Sequence, residues 1–346
     1  MSNSCSIYSE KNVPCKWSFP SVEPVPEGTA RPFWSVMIPT YNPNETYLEE
    51  TLNSVLEQYP GPKRMQIELI DDCSPEFDPK AFLENFGDDR ISYYRQKKKS
   101  GIGGNWNTCI ERARGQWIHI LHQDDLLLPG FYKNLLRGIT REPGVGAVFC
   151  REFFIDDKGH TKYLQIPLRE TSGILTSWLE HVFVGLFIRA SAIIVKRSVY
   201  ERLGGFTTSL QYALDWDMWK RIASSYPIWY EPEPLFCYRE HRASASSEFI
   251  NSGRNLVEIR KSIDISQSYL PEDISLNVSR KATENYTKYG ITVAMRMLVK
   301  ERDINSALAQ LRATQKLGSN TFFKSLASLI LDTVLNALRE LKSKIL

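Results

Sequence analysis

The sequence lacks three features that would each assign it to a well-defined class of protein. Its six cysteines are scattered without a C-x-x-C pair, which argues against a zinc or dithiol site and is typical of a reducing compartment. No apolar run approaches the roughly 18 residues of a transmembrane helix. Lys and Arg together number 43 and Asp and Glu 40, so the net charge of +3 gives no basis for nucleic-acid binding.

The amino-terminal segment also lacks the apolar core of a secretory signal peptide, so we expect a cytoplasmic protein. Residues 1–33 contain five prolines, which predict an extension that is either draped over the folded domain or free. The remaining chain is long enough for one large or two modest domains with a sizeable core.

Short apolar segments alternate with segments of helical periodicity from residue 34 to residue 150. The predicted strands are 35–39, 66–70, 91–94, 116–121 and 145–150, and the predicted helices are 47–58, 81–86, 103–114 and 129–138. This alternation predicts an α/β fold with a mostly parallel sheet and helices on both faces. Residues 151–245 give mixed signals, with strands predicted at 190–196, 227–231 and 235–238, and residues 246–346 predict a helical C-terminal region.

An apolar stripe marks the last part of this helical region. Its members alternate in steps of four and three residues: Ala327, Leu331, Val334, Leu338, Leu341 and Ile345. Such a stripe packs on its own domain or on a partner helix. Packing on the helix of a second copy would mean self-association. It could instead lie on a membrane surface with Arg339, Lys342 and Lys344 at its edge. The sequence leaves self-association and peripheral contact with the inner face of the membrane both open.

Two of the predicted strands end in adjacent aspartates, Asp71-Asp72 and Asp124-Asp125. Adjacent carboxylates repel each other, so their position at the end of a buried strand favours a cation or a polar network there. Ligands of open α/β sheets bind at the carboxyl ends of the strands. The alternative for each pair is a solvated turn.

Four groups of segments follow one another in an order and spacing that is specific when taken together. They are VMIPTYN (Val36–Asn42); ELIDDCS (Glu68–Ser74); GIGGNWN (Gly101–Asn107) leading to QDD (Gln123–Asp125); and SAIIVKRS (Ser191–Ser198) with Gly204–Phe206, Asp215–Asp217 and Tyr238–His241. In these segments the chain resembles the family 2 glycosyltransferases of the GT-A fold over roughly residues 34–245.

This resemblance implies a Rossmann-like GT-A domain over residues 34–245, with a nucleotide-binding half (34–150) and an acceptor-binding half (151–245). It implies an enzyme that moves a sugar from a nucleotide-diphosphate sugar, with UDP as the default, to an acceptor hydroxyl with inversion at the anomeric carbon. The acceptor would be a sugar, a polysaccharide or a lipid-linked molecule in polysaccharide or glycolipid synthesis. The implied cofactor is Mn²⁺ or Mg²⁺.

The resemblance assigns the donor nucleotide to the carboxyl ends of the strands. The residues assigned to it are Pro39, Thr40, Tyr41, Asn42, Asp72, Gly101, Asn107, Asp124, Arg239 and His241. A proline ends strand pairing and frees the backbone groups that follow it, and an aromatic ring such as Tyr41 can stack on a base. The forked donors of an arginine such as Arg239 match phosphate oxygens.

The metal is assigned to the second aspartate pair. The family commonly has D-x-D-D here, whereas this chain has His122-Gln123-Asp124-Asp125, so the first acid is missing. Asp124 and Asp125 are both candidate metal ligands, and which of them meets the cation and which lies near the ribose stays open. His122 is either a further ligand or a hydrogen-bonded neighbour.

Asp215 is the candidate catalytic base, because an acceptor hydroxyl is a weak nucleophile and must lose its proton as the new bond forms. The family motif is usually Glu-Asp before an aromatic residue, and Leu214 replaces the Glu here. Asp217 is the competing acid. The alternative without catalysis is that both acids occupy the amino-terminal turn of a helix.

Two other functions remain as alternatives. A nucleotidyltransferase of related fold usually has a Gly-rich basic loop after its first strand, and the sequence Pro39–Pro43 disfavours it. A catalytically silent nucleotide-binding or assembly module would not need Asp72, Asp124, Asp125 and Asp215 at matching positions.

Overall fold

The computed structural model describes residues 19–176, 178–185, 187–270, 272–318 and 322–323. The predicted apolar stripe from Ala327 to Ile345 lies outside these residues. The strands are β1 (Trp34–Thr40), β2 (Met65–Asp71), β3 (Ile91–Arg95), β4 (Trp117–Ile120), β5 (Leu126–Leu127), β6 (Ala147–Ile155), β7 (Thr161–Leu164), β8 (Gly173–Ile174), β9 (Ile193–Lys196) and β10 (Ile228–Arg239).

The helices are interspersed with these strands as far as β10, and among the described residues only helices follow it. They are α1 (Glu45–Leu56), α2 (Pro79–Phe86), α3 (Gly101–Arg112), α4 (Phe131–Arg141), α5 (Trp178–Val184), α6 (Arg197–Leu203), α7 (Leu214–Ser225), α8 (Ala245–Asn251), α9 (Arg254–Gln267), α10 (Glu272–Arg296) and α11 (Ile304–Leu317). No helix within the described ranges combines the length and apolar composition needed to cross a bilayer.

One mixed sheet organises the domain, in the strand order β3-β2-β1-β4-β9-β6-β10-β5, with β7 beside β6 and β8 beside β10. Strands β1 to β4 are mutually parallel where they pair. β9 is antiparallel to both β4 and β6, and β10 is parallel to β6. The carboxyl ends of β1, β2, β4, β6 and β10 therefore point to the same edge. The predicted α/β fold with a mixed, mostly parallel sheet is confirmed.

Strands β1 and β2 are buried at every residue, which agrees with apolar residues at most of their positions. Helix α1 packs Leu48, Leu52 and Val55 into the same core as β1. It begins where the Asn44 side chain accepts a hydrogen bond from the Tyr47 amide at 3.1 Å. The helical spacing of apolar residues in the sequence therefore agrees with the residues that this helix buries in the core.

Two predictions in the second half of the sheet are corrected. The segments 227–231 and 235–238 form one strand, β10, because the register shifts between Glu231 and Phe236 accommodate Pro232 and Pro234. The predicted strand 190–196 begins with a 3₁₀ turn at Ala190–Ala192, so only its second half is strand β9.

Part of the Pro-rich amino-terminal extension contacts the domain. The Pro20 carbonyl accepts a hydrogen bond from the Gly205 amide at 2.8 Å, and the Glu23 carbonyl accepts one from Arg197 Nη2 at 2.9 Å. The guanidinium of Arg221 lies 4.0 Å from the Phe19 ring centroid. Residues 19–23 thus belong to the surface of the folded domain.

The chain divides into two compact units; among the described residues, 19–182 and 187–241 belong to the first, and 183–185 and those from 242 onward belong to the second. The first contains the sheet. The second is helical and includes α8 to α11, which pack on one another.

A substitution at Gly115 tests how closely the main chain just before β4 approaches β1. Its amide donates to Ser35 Oγ at 2.8 Å, and a Cβ there would lie 2.6 Å from the Ser35 amide nitrogen. We expect Gly115→Ala to lower the free energy of unfolding by about 1–3 kcal/mol in urea denaturation, because backbone must move to admit the methyl group. Gly144→Ala is the control, since no atom lies within 4 Å of its Cβ position. Equal stability of the two variants would contradict this packing.

Candidate active site

The predicted site residues follow strands whose carboxyl ends share one edge of the sheet. Tyr41 follows β1, Asp72 follows β2, the stretch from His122 to Asp125 follows β4, and His241 follows β10. Parallel strands place their carboxyl ends together, so the fold itself gathers these side chains.

The loop after β1 is fixed by its neighbour after β4. The Tyr41 amide donates to Gln123 Oε1 at 2.9 Å, and the Tyr41 carbonyl accepts from Gln123 Nε2 at 3.4 Å. The Tyr41 ring remains 37% exposed, with Lys99 Nζ 3.7 Å from its centroid. An aromatic surface and a cation are therefore available at this edge.

The other residues of the first motif shape this turn. Pro39 and Thr40 are buried at the end of β1, and the Thr40 hydroxyl donates to the Ile70 carbonyl at 3.4 Å. Asn42 has a φ of 42°, donates its amide to Ser74 Oγ at 2.8 Å and accepts the Glu76 amide at 3.3 Å. Their side chains support the loop.

Asp72 anchors the start of helix α3. Its Oδ1 accepts from the Ser100 amide and hydroxyl, both at 2.7 Å, and its Oδ2 accepts from the Gly101 amide at 2.8 Å. Gly101 has a φ of 77°, a conformation that favours glycine. A carboxylate has about four acceptor positions, so Asp72 keeps capacity for one more donor. Its neighbour Asp71 bonds the Ser74 amide at 3.1 Å and supports the turn.

The side-chain amide of Asn107 is used within the fold. Its Nδ2 donates to the Phe206 carbonyl at 2.8 Å, and its Oδ1 accepts from the Phe206 amide at 2.7 Å. Both ends of the amide are used to tie α3 to the turn at Gly205–Phe206. A contact of this amide with the donor would have to compete with these two bonds, and the assignment of Asn107 to the donor stays a prediction.

The second aspartate pair divides into a buried and a partly exposed acid. Asp125 is completely buried; its Oδ2 accepts from Ser191 Oγ at 2.7 Å and its Oδ1 from the Arg239 amide at 3.1 Å. Burial, followed by the charge of Asp124, raises the pKa of Asp125 well above its usual range. Asp124 keeps a partly exposed carboxylate, with Oδ2 2.8 Å from His241 Nε2.

A third side chain completes a cluster with metal-ligand chemistry. One ligating atom each of His122, Asp124 and Asp125 lies within 4.8 Å of the others. His122 Nε2 is buried and has no hydrogen-bond partner among the described residues. Burial lowers the pKa of His122 and so favours the neutral imidazole, the form that can bind a metal.

Arg239 is held inside the fold. Its side chain is 2% exposed, its Nε donates to the Asp124 carbonyl at 2.9 Å, and its Nη2 pairs with Glu50. The guanidinium also lies 4.3 Å from the Tyr47 ring centroid. In this arrangement Arg239 fixes the loop that carries Asp124, and phosphate contact would require these bonds to open.

The two acids of helix α7 also have different environments. Asp217 is completely buried and pairs with Arg221 Nε at 3.0 Å, so it stabilises the fold. Asp215 is 8% exposed, and its Oδ1 accepts from the Trp216 amide at 2.7 Å. Burial raises the pKa of Asp215 to about 6. Asp215 therefore keeps its proton up to a higher pH than an ordinary aspartate does.

Sequence reasoning missed three residues near these groups. Ser191 bonds Asp125, although it was quoted only as part of a strand-like motif. Glu152 on β6 is 1% exposed, and burial raises its pKa to about 7. The charge of Arg189 lowers the pKa of both Glu152 and Asp215. A lone acid in the apolar run AVFCREFFI was the available signal for Glu152.

The buried position of Asp125 generates a stability prediction. Asp125→Ala leaves the Ser191 hydroxyl and the Arg239 amide without acceptors, so we expect a loss of about 2 kcal/mol or more in the free energy of unfolding. Asp124→Ala removes a partly exposed pair and should cost about 1 kcal/mol or less. Urea denaturation followed by tryptophan fluorescence compares the two. Equal losses would contradict the different roles of these acids.

Comparison with known proteins identifies a family and related sequences. The Glycosyl transferase family 2 model matches residues 35–204. An uncharacterised protein of Mycobacterium tuberculosis is 29% identical over 243 residues, covering 66% of this chain and 74% of that protein. An uncharacterised glycosyltransferase of Rickettsia typhi is 26% identical over 234 residues, covering 65% and 69%.

Solved structures share the fold at low sequence identity. S. aureus TarS 1–349 in complex with UDP-GlcNAc superimposes with a TM-score of 0.66 at 15% identity, covering 86% of this chain and 92% of that one. A mannosyltransferase of Pyrobaculum calidifontis in complex with GDP-Man and Mn²⁺ gives 0.55 at 20% identity, covering 92% and 84%. Residues 35–204 thus match the family 2 glycosyltransferases, and the protein is a glycosyltransferase with the GT-A fold.

Proposed function

We propose that the protein is an inverting glycosyltransferase that moves a sugar from a nucleotide-diphosphate sugar, with a UDP-sugar as the first candidate, to an acceptor hydroxyl. The observation that carries this proposal is that the adjacent acids Asp124 and Asp125 have different environments. Asp125 is locked into the fold, whereas Asp124 keeps a partly exposed carboxylate beside His241 at the ligand-binding edge of the sheet.

The nucleotide would lie over the loops after β1 and β2. The exposed ring of Tyr41 would stack on the base, and the remaining acceptor capacity of Asp72 would bind a base or ribose donor. Lys99, above the Tyr41 ring, supplies a positive charge close to the phosphates of a nucleotide bound there. TarS and the mannosyltransferase carry UDP-GlcNAc and GDP-Man, so both bases are used on this fold.

The residues fit a divalent cation. Asp124 offers a partly exposed carboxylate, and His241 Nε2 lies 2.8 Å from it. The imidazole of His122, whose Nδ1 lies 3.6 Å from Asp125 Oδ2, is a further nitrogen ligand. Oxygen ligands with imidazole suit Mn²⁺, and Mg²⁺ prefers the oxygens alone. A cation bound there would stabilise the negative charge that the leaving diphosphate gains. Asp125 is held by the Ser191 hydroxyl and the Arg239 amide, and its carboxylate would be a further oxygen ligand in the same cluster.

Asp215 would act as the base. Its carboxylate accepts the proton of the acceptor hydroxyl while the oxygen attacks the anomeric carbon from the side opposite the leaving diphosphate. A single displacement of this kind inverts the configuration at that carbon. The acceptor would be a sugar, a polysaccharide or a lipid-linked molecule, and the synthesis would take place in the cytoplasm or at the inner face of the membrane.

Donor binding tests this function directly. We expect UDP-GlcNAc or GDP-Man to raise the melting temperature in the presence of Mn²⁺, since a ligand of the folded state stabilises it in proportion to log concentration. EDTA or Asp124→Asn should remove most of this increase, whereas Asp124→Asn without ligand should melt close to the unmodified protein. Absence of any metal-dependent nucleotide binding would favour a silent assembly module.

Asp215→Asn should slow release of the nucleoside diphosphate by about 10²- to 10⁴-fold, because the base is lost. Donor affinity should stay within a factor of two to three, since Asp215 is not assigned to the nucleotide. The rate of the unmodified enzyme should fall as the pH decreases through about 6, where the carboxylate becomes protonated. A rate that is flat from pH 5 to 8, or unchanged in Asp215→Asn, would exclude this base.

A further inference from the structure

Ser191 is a completely buried residue that lies beside the end of β4. Strand β9 pairs with β4 in antiparallel register, with His119 opposite Ile194. Continued past the end of the ladder, this register brings Ser191, in the 3₁₀ turn before β9, opposite His122. The strand pairing therefore delivers one hydroxyl group to the loop that carries the proposed cation ligands.

This hydroxyl bonds two residues of the cation cluster at once. Its oxygen accepts a hydrogen bond from the His122 amide at 3.0 Å, and it donates its proton to Asp125 Oδ2 at 2.7 Å. The same carboxylate oxygen lies 3.6 Å from His122 Nδ1. The His122 ring also packs against Trp106 on α3, with the ring centroids 5.1 Å apart. Ser191 thus links the main chain of one candidate ligand to the carboxylate of another.

Ser191 is itself held by a buried histidine on β4. His119 Nε2 lies 2.9 Å from the Ser191 carbonyl oxygen, and His119 Nδ1 lies 3.0 Å from the Tyr132 hydroxyl on α4. Because a carbonyl oxygen can only accept, Nε2 carries the proton and Nδ1 accepts from Tyr132. Burial lowers the pKa of His119 to about 4, which agrees with a neutral ring. The ring is stacked on Phe131, with the centroids 5.0 Å apart, so the donor to Ser191 has a fixed direction.

We propose that Ser191 is a positioning residue that holds His122 and Asp125 in place for the cation, and that His119 fixes Ser191. This inference rests on the cation proposed above for the cluster of His122, Asp124 and Asp125. Hydrogen bonds behind the ligands of a metal orient those ligands, and their loss typically costs about 10- to 100-fold in metal affinity. A serine with a purely structural role would instead affect the stability of the fold and leave the metal affinity of the folded protein unchanged.

Binding of Mn²⁺ alone tests this role without nucleotide and without turnover. The electron paramagnetic resonance signal of the free ion gives the dissociation constant of Mn²⁺, and urea denaturation establishes that each variant is folded under the conditions used. Ser191→Ala should raise the dissociation constant about 10- to 100-fold. His119→Phe keeps a ring against Phe131 but removes the donor to the Ser191 carbonyl, so it should raise the constant by a smaller factor.

Ser35→Ala is the matched control. The Ser35 hydroxyl is equally buried, donates to Gln66 Oε1 at 2.7 Å and accepts from the Gly115 amide at 2.8 Å. It therefore makes the same kinds of bond as Ser191, but before β4 rather than after it. Ser35→Ala should be less stable in urea and keep the Mn²⁺ dissociation constant of the unmodified protein. An unchanged constant in Ser191→Ala, or equal increases in Ser191→Ala and Ser35→Ala, would overturn the inference.

Asp124→Asn separates this inference from the proposed function. If Asp124→Asn weakens Mn²⁺ binding and Ser191→Ala does not, the cation site stands and the role of Ser191 is wrong. If Asp124→Asn binds Mn²⁺ no more weakly than the unmodified protein, the proposed cation site is wrong and the inference falls with it. If Ser191→Ala weakens binding and His119→Phe does not, the role of Ser191 stands and that of His119 is wrong.

Discussion

The buried carboxylate of Asp125 joins three segments that are far apart in the sequence. It accepts a hydrogen bond from Ser191, just before β9, and another from the backbone of Arg239, at the end of β10. Its own carbonyl accepts from Thr51 on α1 at 2.8 Å. An acid without these donors would be costly at a completely buried position. Because they are present, the end of β4 is fixed, and with it the position of the adjacent Asp124.

This arrangement gives a physical reason for two adjacent aspartates in one loop. The first holds a partly exposed carboxylate at the edge of the sheet, and the second supplies the internal bonds that keep it there. Arg239 extends the same support, since its side chain binds the Asp124 carbonyl and Glu50. His241, which follows β10, contacts the Asp124 carboxylate through its Nε2. The residues proposed to hold a cation are thus rigid because the neighbouring charges are satisfied within the protein.

Much of the fold could be predicted from the sequence, because local periodicity records which faces of a strand or helix are buried. The strands that end at Thr40 and Asp71 and the helix with Leu48 and Leu52 are examples. The division of roles within the site could not be predicted in the same way. Adjacent aspartates look alike in a sequence, and only the partners at Ser191 and the end of β10 separate them. An arginine or asparagine in a family motif gives no sign that its donors are already used within the domain, as those of Asn107 are.

The proline-rich composition of residues 19–33 conceals how closely this segment belongs to the domain. Pro20 lies against Gly204, whose φ of 79° lets two stretches of main chain approach, and a side chain there would collide with the Pro20 carbonyl. A shortened protein that began at the first strand would expose the Gly205 amide and leave Arg197 without one of its carbonyl acceptors. Recombinant versions of this enzyme intended for crystallisation should therefore start upstream of Phe19, although the family model begins only at residue 35.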